Sequence, residues 1–129
     1  MYWQNDADAL NKGVGKIVSE VQISDEDATL KFEDGSSIYL YHDQDCCESV
    51  YIESVVGDVA DLVGEILMVA EVVDGETPND FEFQYEPESF TWTFYKFRSR
   101  KGEIVIRFLG ESNGYYSESV TVQFSDGVH

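Results

Sequence analysis

The run "SFTWTFYKFRSRKGEIVIRFLG", residues 89–110, restricts the fold more than any other stretch. In a strand, successive side chains leave opposite faces, so Phe90, Trp92 and Phe94 share one side while Thr91, Thr93, Tyr95 and Phe97 share the other. Rings on both sides cannot all face water without exposing a large apolar area. One face therefore meets the core, and the other must be covered by a helix, a second subunit or a ligand. "SRKG" predicts a hairpin into "GEIVIRFLG", where Ile104, Ile106 and Phe108 take the core side and Arg107 joins Val105 and Leu109 opposite. A sheltered guanidinium needs a carboxylate, carbonyl or phosphate. Glu111 or a glutamate on a neighbouring strand can supply it from within the chain, and a ligand phosphate or carboxylate can supply it from outside.

The rest of the chain reads mostly as further short strands. Residues 15–42 alternate through Val18, Val21 and Ile23, then Leu30 and Phe32, then Ile38 and Leu40, with turns at "SDED" and "EDGS". A strand resumes near residues 49–56. "GDVADLVGE" predicts one short helix capped by Asp58, with Val59, Leu62 and Val63 at helical spacing and Gly64 as the stop. "EILMVAEVV" reads as a buried strand, "DGETPNDFEFQYEPES" as an exposed loop or hairpin excursion, and "SESVTVQFS" as the strand that closes the sheet. The expectation is an α+β fold: a single domain dominated by a meander-like antiparallel β-sheet of about 8 short strands, with one short helix. Its bounds are set at residues 13–125, between a mobile amino-terminal segment of residues 1–12 and a tail of residues 126–129.

A length of 129 residues with 43% hydrophobic and 14% aromatic content is enough for one packed domain. Twenty-six acidic residues against eight basic ones give a formal charge of −18, which repels nucleic acid and anionic membrane. Residues 1–87 hold 21 of the acids and only 3 of the cations, whereas residues 88–129 hold 5 of each. The five late cations, Lys96, Arg98, Arg100, Lys101 and Arg107, predict one locally basic hairpin in a negative field. "MYWQNDADALNKG" lacks the apolar run of a signal peptide, and nowhere do 18 apolar residues follow one another. A soluble cytoplasmic protein is expected.

Two loops concentrate chemistry. In "IVIRFLGESNGYYSESV", Gly110 and Gly114 allow positive φ, Ser112 and Asn113 bring donors and acceptors, and Tyr115 and Tyr116 bring ring faces. That mixture suits either a flat polar ligand or a rigid turn whose tyrosines cover a sheet edge. "HDQDCCES" gathers His42, Asp43, Asp45, Cys46, Cys47 and Glu48. Adjacent cysteines in an extended chain diverge and lack the spaced pairs of a zinc site, so they are read as thiols in a reduced compartment, one of them buried in a tight Asx-type turn. No metal, cofactor or catalytic residue is assigned. The sequence holds no Gly-rich phosphate loop, nucleophile elbow or zincin helix, so an enzyme is not the expectation.

The motifs Asp-Cys-Cys-Glu at 45–48, Thr-Trp-Thr-Phe-Tyr-Lys at 91–96 and Ile-Arg followed by Gly-x-Ser-Asn-Gly-Tyr-Tyr-Ser at 106–117 resemble a family of small uncharacterised bacteriophage and prophage proteins. The likeness covers roughly residues 38–120; Arg98, Arg100, Lys101 and the amino-terminal segment fall outside its motifs. The resemblance implies a viral accessory protein that acts in the host cytoplasm by binding and counters bacterial immunity. In one form, Arg107, Ser112, Asn113, Tyr115 and Tyr116, with Trp92, Phe94, Tyr95 and Lys96, enclose a nucleotide-derived immune signal, across the subunits of a homo-oligomer. In another, the acidic surface imitates nucleic acid and binds a basic host protein such as a CRISPR effector. A structural or interaction domain without a small ligand is the third reading.

Overall fold

Strands with one dry side need a second layer to close over it. The computed structural model describes residues 6–127. It contains β1 (Val18–Ile23), β2 (Ala28–Phe32), β3 (Ser37–Tyr41), β4 (Ser49–Val56), β5 (Val69–Gly75), β6 (Ser89–Arg98), β7 (Glu103–Ser112) and β8 (Thr121–Ser125). All neighbouring pairs are antiparallel, in two four-stranded sheets ordered β1-β2-β3-β8 and β4-β7-β6-β5. The expected strand number and small, mostly β domain are therefore present, but the meander is divided between two sheets. In the second sheet β5, β6 and β7 run hairpin to hairpin while β4 lies beside β7, a Greek-key order.

One apolar core joins the sheets. Val18, Leu30, Phe32, Ile38 and Leu40 from the first meet Tyr95, Phe97, Ile104, Ile106 and Phe108 from the second. Helix α1 (Asp6–Asn11) adds Ala9 and Leu10, both with no exposed surface, from the segment expected to be mobile. Expectations for residues 1–5 and 128–129 fall outside the described residues. The short helix predicted after Gly57 is instead a single 3₁₀ turn, Val59–Asp61, with Asp58 accepting the Ala60 N–H at 3.0 Å. Its continuation is claimed by β1: Gly64 donates to the Val18 carbonyl at 2.7 Å and Val18 donates to Glu65 at 3.0 Å. Tertiary backbone pairing thus wins over local helix propensity. "EILMVAEVV" is also less buried than expected: Ile66 and Met68 precede β5 and are about half exposed (53% and 50%), and β5 itself is an edge strand.

The chain crosses between sheets twice, through residues 42–48 and through residues 113–120. These are the two loops whose composition stood out. Gly114 does adopt positive φ (92°), but Gly110 does not. Glycine is required there for a different reason: a Cβ would lie 2.6 Å from the Glu118 carbonyl oxygen, so only a bare backbone lets the returning crossover lie against β7. Among the described residues, no helix is long and apolar enough to cross a membrane.

Because Leu10 is fully buried against both sheets' core, Leu10→Ala is expected to cost roughly 2–4 kcal/mol in denaturant unfolding. A loss below about 0.5 kcal/mol, the size of an ordinary surface change, would show that α1 is not part of the cooperative unit.

Candidate functional site

Arg107 lies on the outer face of β7, opposite Phe94 of β6 and Ser54 of β4. It is only 7% exposed. Its Nη2 donates to Glu53 Oε1 at 2.8 Å, and Nη1 and Nη2 form a two-pronged pair with Asp80 at 3.1 and 2.9 Å. Glu53 is the extra residue of a bulge in β4, between the pairs Ile52–Phe108 and Ser54–Arg107. A bulge re-aims a side chain, and here it presents a carboxylate to the guanidinium. The internal partner is thus a glutamate on the neighbouring strand, and Glu111 is not engaged.

Asp80 comes from residues 76–88, the connection expected to be an exposed loop. It folds back as a strap over the outer face of the sheet. Phe81 meets Trp92 edge-on with centroids 5.0 Å apart, Phe83 meets Phe90 at 4.9 Å, and Trp92 Nε1 donates to Thr77 Oγ1 at 3.0 Å. The Arg107 guanidinium sits 5.8 Å from the Trp92 ring centroid. The cover that a subunit or ligand was expected to supply comes from the chain itself. Phe81 and Phe83, two rings in an otherwise polar loop beside a strand with an uncovered aromatic face, were the available signal for it.

The nine predicted binding residues do not form one cluster. Trp92, Phe94 and Lys96 share the outer face with Arg107, whereas Tyr95 points into the core with no exposed surface. Ser112, Asn113, Tyr115 and Tyr116 belong to the crossover. Along an extended strand, six residues separate Arg107 from Asn113 by about 20 Å. Local bonds engage several of them: Ser112 Oγ donates to Glu118, and Asn113 Oδ1 accepts the Tyr115 N–H at 3.0 Å. Tyr115 remains 89% exposed. The expected basic patch is dispersed as well, since Arg100 and Lys101 both pair with Glu65 and Arg107 is neutralised under the strap.

The other crossover is organised by Glu48, which is 4% exposed. It accepts the backbone N–H groups of Asp45 at 2.8 Å and Cys46 at 2.9 Å, and His42 Nε2 lies 2.6 Å away. These donors, the Asp45 amide foremost and then His42, hold its carboxyl down to about 2. His42 Nδ1 faces the Ser119 carbonyl at 2.6 Å, so the two crossovers are tied to each other. Cys46 and Cys47 depart from expectation: both are exposed, and they are joined to each other in a disulfide. The turn at residues 45–48 brings the two side chains to the same side, which a fully extended chain would not.

The family model for a domain of unknown function, DUF7448, matches residues 11–122 of this chain. The chain belongs to the DUF7448 family. The match takes in all eight strands except the last three residues of β8, together with both crossovers and the strap. No curated protein matches the DUF7448 chain, and no solved structure does.

Two outcomes follow from this geometry. Arg107→Ala leaves Glu53 partly buried without its cation and is expected to cost about 3 kcal/mol, with Asp80→Asn costing less, by denaturant unfolding. A cost for Arg107→Ala no larger than for an exposed site would show that the pair is not structural. Glu48 is held below its usual value when folded, so its stabilisation is full above about pH 4.5 and is lost as pH falls towards about 2. Unfolding measured across that window should show a shallower acid dependence in Glu48→Gln than in the parent.

Proposed function

We propose that this DUF7448 domain is a non-catalytic binding protein whose acidic surface engages a basic protein partner. One observation carries the reading: among the described residues, five of the eight cations are paired with carboxylates of the same chain, and most of the surplus acids are exposed. Along β5 and the strap, Glu71, Glu76, Glu82, Glu86 and Glu88 are all exposed on neighbouring backbone. Such a surface speeds encounter with a positive partner and rejects anions. In the bacteriophage setting that the sequence motifs point to, the partner is a nucleic-acid-binding defence protein of the host, its basic groove occupied by carboxylates in place of phosphates.

The test is affinity for a basic partner isolated from host extract, measured by interferometry from 50 to 300 mM salt. Affinity should fall at least about tenfold over that range, and Glu82→Gln/Glu86→Gln/Glu88→Gln should weaken it by a similar factor. Binding indifferent to both salt and the triple replacement would sink the reading.

A second reading is favoured by one feature of the strap. The Asp80 side chain is 71% exposed although it closes a two-pronged pair with a sheltered arginine above an indole, so it occupies the place a ligand phosphate would take. In this reading a nucleotide-derived immune signal displaces the strap. Native mass spectrometry with cyclic and linear nucleotides should then show retention that Asp80→Asn strengthens and Arg107→Ala abolishes. Nucleotides retained by neither the parent nor Asp80→Asn would eliminate it.

A further inference from the structure

A cavity lies where α1 and the end of β5 meet the inner face of β6. Its volume is about 370 Å³, and it is lined by Asp6, Asp74, Thr91, Thr93, Tyr95 and Ser119, with Val72 and Val120 as apolar walls. Among the described residues, two carboxylates line it and no lysine, arginine or histidine does. Burial, the largest influence, raises the Asp6 carboxyl, and the charge of Asp74 adds to it; the Val122 backbone N–H acts the other way. The independent observation is Tyr95. Its side chain has no exposed surface, its ring packs edge-on against Phe108 at 5.7 Å, and its hydroxyl has no hydrogen-bond partner among the described residues. Burial first, and then the charges of Asp6 and Asp74, raise that hydroxyl, and all three residues line the one cavity.

A buried hydroxyl without a partner is a deficit, and beside it stand two carboxylates, a partly buried Asp6 and an exposed Asp74, that have no cation among the described residues. An ammonium carries three N–H donors, no acceptor and one positive charge, one donor for each of the three groups. A neutral polar ligand would leave the charges uncompensated. A metal ion is a poorer fit, because among the described residues no group of three or more His, Cys, Asp or Glu side chains is placed to hold one. The two valines suit the methylenes of an alkyl chain. We propose that this cavity is a binding site for a small organic ammonium of the alkylamine or alkyldiamine class, held by Asp6, Asp74 and the Tyr95 hydroxyl.

The probe is 1,4-diaminobutane, titrated calorimetrically into the full chain at 150 mM salt, where diffuse attraction to a polyanion is largely screened. One saturable site is expected. Asp74→Asn should weaken it about tenfold or more, and Tyr95→Phe roughly threefold or more, the loss for one charged and one hydroxyl contact. Tyr95→Phe should also melt no lower than the parent, because it removes a hydroxyl that has no partner in the free protein. Glu71→Gln, an acid on the same strand but outside the cavity lining, should bind as the parent does. Four results would each overturn the proposal: no saturable site, equal losses for Glu71→Gln and Asp74→Asn, parental affinity in Tyr95→Phe, or Mg²⁺ alone displacing the diamine with the same dependence on Asp74.

Discussion

A guanidinium cut off from water has to find its acceptors within the chain, and that demand arranges one whole face of the second sheet. The bulge in β4 exists opposite Arg107 and turns Glu53 towards it. The strap returns across the sheet to bring Asp80, and in doing so it lays Phe81 and Phe83 on Trp92 and Phe90. Removing water from the rings and pairing the arginine are therefore one event. Gly75 marks where the strap leaves β5, since a Cβ there would sit 2.2 Å from the Phe94 ring.

The crossovers obey a related rule. A backbone that leaves one sheet for the other gives up its ladder partners, and buried amides must be satisfied in some other way. Glu48 does this for the first crossover by accepting two consecutive amides, and His42 links it to the second. In the second, Glu118 collects hydroxyls from Thr91 and Ser112 while Asn113 and Ser117 close local turns. Side chains that look like a recognition kit are thereby largely explained as the joinery of a two-layer fold. Tyr115, nine-tenths exposed and without a ring partner, is the member of the motif that this account leaves over.

Strand positions were legible because alternation has a period of two and Asp34-Gly35 is a strong turn; β4 was placed at its observed residues, 49–56. The division into two sheets was not, since Ile38 and Ile106 read alike whichever layer they belong to. Val59, Leu62 and Val63 have helical spacing in the sequence, but the pairing that cut the helix short comes from β1, some forty residues earlier. Arg107 was recognised as sheltered and the face it shares with Val105 and Leu109 was placed correctly. The partner expected on a neighbouring strand is Glu53, while Asp80 had no signal in the spacing. Asn113 is six residues away along an extended strand, whereas Asp80 is twenty-seven residues away and in contact.

The edges of the second sheet give the surplus charge another consequence. β4 and β5 are its edge strands, the ordinary starting point for strand-to-strand growth between copies, with Ile52 of β4 already donating to the Asp25 carbonyl. β5 carries Glu71 and Asp74 and runs on into Glu76, while β4 is followed by Asp58. Copies meeting edge to edge would bring carboxylates against carboxylates, so the composition that draws a basic partner also sets a colloidal barrier between like molecules. That barrier is highest in dilute salt and collapses near pH 4.1, where the net charge vanishes and the edges lose their guard.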